Sequence, residues 1–407
     1  MENEDLKIDF PTEIVKEGAV KVLVPKIEAF AGSPSTYIPS KAPVFYNPIM
    51  ELNRDIAVLA LQVHQKILNR KISVCEPLTG CGIRGIRFAA EVEGVKKVLI
   101  NDIDEKAFHL AKYNIQMNSL SGRAIPKNED ANRLLSRYGA PRKRFDAIDL
   151  DPFGSPAPYM DSAIRALRDN GLLALTATDM APLCGVHPKA CIRKYGGKSL
   201  RTEYCHELAV RLLAGCLAMS AAKHEMGIEI VLSHSTDHYI RVYATLKYGA
   251  KRADDSIKNM GYILHCFKCF HREPVRGLFQ VGRSGVCRKC GSKMDIAGPL
   301  WLGRIFDEKF CSLIGVEAKK RRFRLGMRVE KILNLIKNET DAPITYYVID
   351  RLCDALNLPV PPVKRVIEAL KDYGFNAYQT HFNPKGIRTD ASVVEVKEIL
   401  KKIAKPF

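Results

Sequence analysis

The segment Asp149-Leu150-Asp151-Pro152-Phe153-Gly154-Ser155-Pro156 sets two acids, an aromatic ring and a glycine within a few residues of one another. Such a group suits chemistry on the exocyclic amine of a nucleobase. The lone pair of that amine is delocalised into the ring, so the nitrogen is a poor nucleophile. The Asp151 carboxylate and the Pro152 carbonyl can accept hydrogen bonds from it, and those bonds strengthen as the nitrogen turns positive during methyl transfer. Asp151 can then take the released proton. Phe153 can stack on the base, a contact worth about 1–3 kcal/mol, and Gly154 leaves space for the ring. A target base must be unstacked to reach such a group. A plain strand-to-turn junction would explain Pro152 and Gly154, but neither the paired acids nor the ring.

Upstream, Glu76-Pro77-Leu78-Thr79-Gly80-Cys81-Gly82-Ile83-Arg84-Gly85 is a glycine-rich turn between a strand and a helix. Gly80, Gly82 and Gly85 form GxGxxG, and Asp102 follows 22 residues after Gly80, where an acid can bind a ribose hydroxyl. That pattern serves NAD and S-adenosylmethionine equally. Three details favour S-adenosylmethionine. Glu76 ends the strand, where it would repel a pyrophosphate but suits an ammonium group. Arg84 and Arg54 offer guanidinium forks for a carboxylate. Asp130, followed by Ala131, stands where the third strand should end and can accept from an adenine amine; the plainer reading of Asp130 is a helix cap.

Charge and cysteines supply independent evidence. Lys and Arg exceed Asp and Glu by 18, a surplus that attracts polyanions, nucleic acid foremost. Cys266-x2-Cys269 and Cys287-x2-Cys290, 17 residues apart, have the spacing of a tetrahedral zinc site. With four thiolates the site is closed, so the expected zinc is structural. Around it Lys268, Arg272, Arg283, Arg288 and Lys289 could touch phosphates. Met1–Phe10 is acidic and polar, unlike a secretory signal, and no uninterrupted apolar stretch approaches the ~18 residues of a membrane span. A reducing cytoplasm and no membrane partner are expected.

These groups need a scaffold. Ile49, Leu52, Ile56, Leu59, Val63 and Ile67 recur at helical spacing behind an Asn47 cap. Short strands at Ile72–Glu76, Val98–Asp102, Asp146–Leu150 and Leu172–Thr176 alternate with helices at Ile83–Val92 and Glu105–Met117. A long helix, Glu207–Met226, precedes two strands, Ile228–Ser233 and Tyr239–Leu246, whose short link requires an antiparallel pair. The expected fold is therefore α/β: a Rossmann-like, mostly parallel sheet with an antiparallel end hairpin, as in class I methyltransferases. Beyond a polar stretch, Lys251–Lys258, and a basic run over residues 317–328, Val348–Asn357 and Val363–Tyr373 read as helices before a wing-like stretch.

Four motifs together resemble one family: residues 45–55 (Phe45 to Asp55), 79–87 (Thr79 to Arg87), 149–156 (Asp149 to Pro156) and 176–185 (Thr176 to Gly185), with Thr380-His381-Phe382-Asn383-Pro384-Lys385-Gly386 in support. That family is the tRNA guanine-26 N2-dimethyltransferases, and the resemblance spans nearly the whole chain. It implies one or two methyl groups placed on N2 of a guanine in tRNA. It further implies that Arg54, Arg84, Asp102, Asp130 and Ala131 contact S-adenosylmethionine, that Asp151 is catalytic, and that Phe153 and Phe45 line the base. The expected divisions are residues 1–250 for the methyltransferase domain, 251–300 for a zinc ribbon and 301–407 for a smaller α+β, winged-helix-like tRNA-binding domain. Two other readings compete: an NAD-dependent oxidoreductase, which leaves residues 151–154 without a role, and a non-catalytic zinc-ribbon nucleic-acid-binding protein, which leaves the glycine loop idle.

Overall fold

The strand Ile72–Glu76 is almost entirely buried, which requires cover on both of its faces. It lies third in a seven-stranded sheet in the order Ala124–Asn128, Val95–Asp102, Ile72–Glu76, Phe145–Leu150, Leu167–Ala177, Tyr239–Tyr248, Met226–Thr236. The first five strands pair in parallel. The last two form an antiparallel hairpin turned at Asp237 and His238, as the short link requires. The computed structural model describes residues 8–30, 38–278 and 285–404.

The chain divides into two compact units that do not follow chain order. One comprises residues 1–152, 159–175 and 313–331; the other comprises 153–158, 176–312 and 332–407. The first unit holds the five parallel strands down to Leu175. From Ile72–Glu76 the chain steps outward through two strands, then returns so that Val74 and Cys75 pair with Ala147 and Ile148. The strand order reverses between these neighbours, and in open α/β sheets ligands bind at the carboxyl ends beside such a reversal. The helix Glu51–Leu68 is buried almost all round through His64, so its stripe is wider than the six apolar positions suggest. An N-terminal hairpin, Thr12–Glu17 with Val20–Pro25, turns at Gly18 with φ +57°. Asn114 fixes it by accepting from Leu23 N at 2.7 Å and donating to Leu23 O at 2.9 Å.

In the second unit the core helix runs Cys205–Ala222, shorter at its end than the expected Glu207–Met226. The chain must turn at Glu225, φ +55°, to enter the strand Met226–Thr236. This helix is long and apolar enough to cross a membrane, but 67% of it is buried inside the protein, as befits a core helix. The polar stretch 251–258 is helical, Ala250–Lys258, with only Ala253 and Ser256 buried. Three antiparallel strands follow in the order Arg272–Arg276, Met260–His265, Asp295–Trp301. The basic run at 317–328, which belongs to the first unit, spans the end of one helix, Glu308–Lys319, and the start of another, Gly326–Asn338. The C-terminal segment has helices Ile349–Asp354, Val363–Asp372 and Val393–Ile403 around a three-stranded antiparallel sheet, the last helix opened by a Ser392/Glu395 capping box. Two helices followed by a wing-like hairpin match the expectation, and the helix Val393–Ile403 closes the segment.

Candidate active site and metal centre

Residues at the ends of adjacent strands meet around one guanidinium. Arg84, 2% exposed, opens the helix after the glycine loop. Its Nη1 donates to Asn53 Oδ1 at 2.8 Å and its Nη2 to Asp151 Oδ2. Its Nε lies 3.6 Å from Glu76 Oε1 and 3.7 Å from Asp149 Oδ1. Three carboxylates thus share one buried cation. Burial pushes the Glu76 carboxyl up to about 8, with Arg84 opposing the shift. Glu76 Oε2 accepts from Thr79 Oγ1 at 2.6 Å and from Gly85 N at 2.8 Å, so this acid shapes the loop from within.

The glycines earn their places sterically. Gly80 and Gly82 have φ of +56° and +84°. A Cβ on Gly80 would stand 2.7 Å from the Phe45 carbonyl oxygen, and Cys81 N donates to that same oxygen at 3.4 Å. Phe45 is thereby seated against the loop. Asp102 Oδ2 accepts from Gly80 N at 2.8 Å and its Oδ1 from Asp104 N at 3.1 Å; burial raises its carboxyl while these amides lower it. Asp130 is exposed and caps the helix Ala131–Arg137 through Arg133 N at 2.9 Å, and Ala131 is buried at that helix's first position. Asn101, fully buried, donates to Pro77 O and Glu129 O, both at 2.9 Å. It thus gathers the three strand ends that carry Glu76, Asp102 and Asp130. Neither Asn101 nor Asn53 was singled out from the sequence; an amide just before a strand-ending acid is the only local sign of the first.

Arg54 turns its fork to a carboxylate of its own chain. Its Nε and Nη2 each donate to Glu17 at 2.6 Å, and Nη2 also reaches Asn47 O at 3.2 Å. Burial raises Glu17, but Arg54 and Arg87 outweigh it and hold its carboxyl below the ordinary value.

Beyond Asp151, Phe153 is 66% exposed. Gly154, φ +77°, donates its N–H to Thr178 Oγ1 at 2.8 Å, and Thr178 N donates to Gly154 O at 2.9 Å. Next to Thr178, Asp179 accepts from Tyr195 Oη at 2.5 Å and Lys194 Nζ at 2.8 Å. The segment 176–179 therefore grips the loop that presents Phe153.

The four cysteines lie at two knuckles. Cys266 O and Cys287 O accept from Phe270 N and Gly291 N at 2.9 and 2.8 Å. Cys266 Sγ and Cys290 Sγ are 3.5 Å apart, as are Cys269 Sγ and Cys287 Sγ, and all four lie within 4.8 Å of one another. Sulfurs bound to one tetrahedral zinc at about 2.3 Å stand roughly 3.8 Å apart, so the set fits the ion. His265 is engaged elsewhere, with Nδ1 3.1 Å from Tyr204 Oη. Of the nearby cations, Lys268, Arg288 and Lys289 are exposed, and Arg283 lies outside the described residues. Arg272 is not available to phosphate: it donates to Glu203 at 2.7 Å and stacks 3.7 Å over Tyr347, with a side chain 6% exposed.

The family model for N2,N2-dimethylguanosine tRNA methyltransferases matches residues 18–401. The chain belongs to that family. The tRNA (guanine(26)-N(2))-dimethyltransferase of Methanothermobacter thermautotrophicus is 44% identical over 95% of this chain and 98% of its own. The tRNA (guanine(26)-N(2)/guanine(27)-N(2))-dimethyltransferase of Aquifex aeolicus is 38% identical over 96% of each chain. Trm1 from Pyrococcus horikoshii, solved with S-adenosyl-L-methionine, superposes with a TM-score of 0.83 at 37% identity over 95% of this chain and 99% of its own. Membership sets aside the oxidoreductase and the non-catalytic binding protein. This methyltransferase has the mostly parallel sheet and antiparallel end hairpin expected of it.

Proposed function

We propose that the protein transfers methyl groups to the exocyclic N2 of guanine 26 in tRNA, giving N2-methyl- and then N2,N2-dimethylguanosine. The observation that carries this reading is the pairing of Ile72–Glu76 with Phe145–Leu150, which sets the glycine loop and Asp151 at neighbouring strand ends beside the sheet's reversal. S-adenosyl-L-methionine, when bound, supplies an electrophilic methyl group. Asp102, Asp130 and Ala131, with Arg54 and Arg84 behind the loop, are the residues that would hold it. The donor set fits: a carboxylate at each of two strand ends and a glycine turn with no room for side chains.

The chain's own groups then act on the base. Asp151 accepts a hydrogen bond from the guanine amine and takes the proton it releases as the new N–C bond forms. Arg84 holds Asp151 in place and offsets the crowding of Asp149 and Glu76. Phe153 and Phe45 supply aromatic faces for the unstacked base. Residues 1–250 carry this chemistry, a zinc ion holds the ribbon within 251–300, and residues 301–407 with exposed Lys268, Arg288 and Lys289 engage tRNA in the cytoplasm.

The test is digestion of a guanine-26 tRNA after incubation with enzyme and cofactor. Methylated guanosines should accumulate with the wild type. Asp151→Ala should lower the rate by at least ~10²-fold, in the range of lost general-base catalysis, while filter binding of tRNA stays unchanged. Full activity in that variant sinks the role of Asp151. Absence of methylated guanosine from the wild-type reaction, with binding of NADH but not of S-adenosylhomocysteine, sinks the whole reading.

A further inference from the structure

We infer that Cys184, Cys205 and His206 form a second zinc site, separate from the four-cysteine ribbon. Two thiol sulfurs and an imidazole nitrogen from these residues lie within 4.8 Å of one another. The sequence gives no sign of it, since Cys184 and Cys205 are 21 positions apart with no CxxC pairing. The fold brings them together by direct backbone contact. A Cβ on Gly185, φ +87°, would stand 2.3 Å from both Arg201 N and Leu200 C, so only glycine lets the two segments touch. Ser199 Oγ donates to Pro182 O at 2.6 Å and locks the same contact. Cys184 closes the short helix Met180–Leu183, while Cys205 and His206 open the core helix Cys205–Ala222.

The chemistry of the three groups is that of a metal site. Cys184 and Cys205 are hydrogen-bonded to each other through their sulfurs. His206 is hydrogen-bonded to the backbone of Phe382. A ring that donates one N–H to a carbonyl carries its lone pair on the other nitrogen, the arrangement by which ligating histidines are usually fixed. Two thiolates and an imidazole suit zinc, and three protein ligands leave a fourth position open. Binding would convert both thiols to thiolates and release two protons to solvent. The ion would tie the core helix to the segment that begins with Thr178, the residue that grips Gly154. The described cysteines include no disulfide, so neither sulfur of this pair is tied up by oxidation.

The experiment is a metal count on the full-length protein, reduced, stripped and reloaded with zinc alone. Two zinc ions per chain are expected, from the two ligand clusters. Cys184→Ser and His206→Gln should each hold one. With cobalt in place of zinc, six sulfur–metal bonds in the wild type against four in Cys184→Ser/Cys205→Ser should lower the thiolate-to-cobalt absorption by about a third. The wild-type count and His206→Gln, which keeps every thiol, test the site even where the thiol variants fold poorly. A wild-type count of one overturns the site, as does an unchanged count of two in His206→Gln and Cys184→Ser, or a Cys184–Cys205 disulfide formed in place of the second ion.

Discussion

Phe153 and Arg84 flank Asp151 in the mechanism and could hardly be placed more differently. Arg84 is sealed among three acids and an amide, so its charge works through the carboxylates it holds. Phe153 is 66% exposed and contributes little burial to the folded state. Its value must lie in what it meets. Replacing it by alanine removes a stacking face worth about 1–3 kcal/mol without opening a cavity. Phe153→Ala is expected to lower kcat/KM for tRNA on the order of 10- to 100-fold while the melting temperature stays within a degree or two, and Phe153→Tyr should recover most of the loss. Steady-state kinetics and a thermal melt on the three proteins decide it. A large fall in melting temperature would mean that the ring packs the fold instead.

The loop carrying Phe153 is held by another element through two hydrogen bonds between Gly154 and Thr178. One of them uses the Thr178 hydroxyl, so Thr178→Val removes that acceptor at constant shape while Thr178→Ser retains it. The valine variant should lose kcat on the order of 10-fold, consistent with one hydrogen bond of about 1–1.5 kcal/mol, with KM for the cofactor unchanged; serine should behave like wild type. Equal losses in both variants would assign the effect to the missing methyl group. This clamp shows where sequence reading stops. Strand ends were legible because short apolar runs finish in acids, as at Glu76, Asp102 and Asp151, and because Gly80 and Gly82 announce a left-handed turn. The cysteine ribbon was legible from spacing alone. Partner choice was not. Nothing local pairs Arg54 with Glu17, 37 positions away, or sets Asn101 between Pro77 and Glu129. The helix Ala250–Lys258 was missed because it buries only two small side chains, too few to leave an apolar stripe.

At the scale of the molecule, a net charge of +18 belongs at a surface that meets a polyanion, yet a charged network also lies deep in the second unit. Arg388 reaches Glu339 at 2.6 Å and Glu207 at 2.9 Å, Glu207 accepts from Arg211 at 2.8 Å, and His381 bonds to Glu339. His381 belongs to the Thr380–Gly386 motif, and Arg388 to the strand that follows it, so the motif helps tie the C-terminal segment to the core helix. Burial would raise the Glu339 carboxyl, but His381 and Arg388 outweigh it and hold it near 2, against an ordinary value of 4.5. A carboxylate depressed in the folded state contributes its stability above the unfolded value and loses it as pH falls through the folded one. The window is therefore roughly pH 4.5 down to 2, and the contribution is on the order of 3 kcal/mol. Glu339→Gln keeps the shape but removes the charge. It should destabilise the protein by about 3–5 kcal/mol at neutral pH, the range for breaking a buried pair. Denaturant unfolding of both proteins at pH 7 and pH 3 tests this: the gap between them must shrink at pH 3, where Glu339 of the unfolded wild type takes up a proton that the folded state does not. A gap that stays constant would mean that Glu339 contributes through packing alone, and the network would lose its electrostatic role.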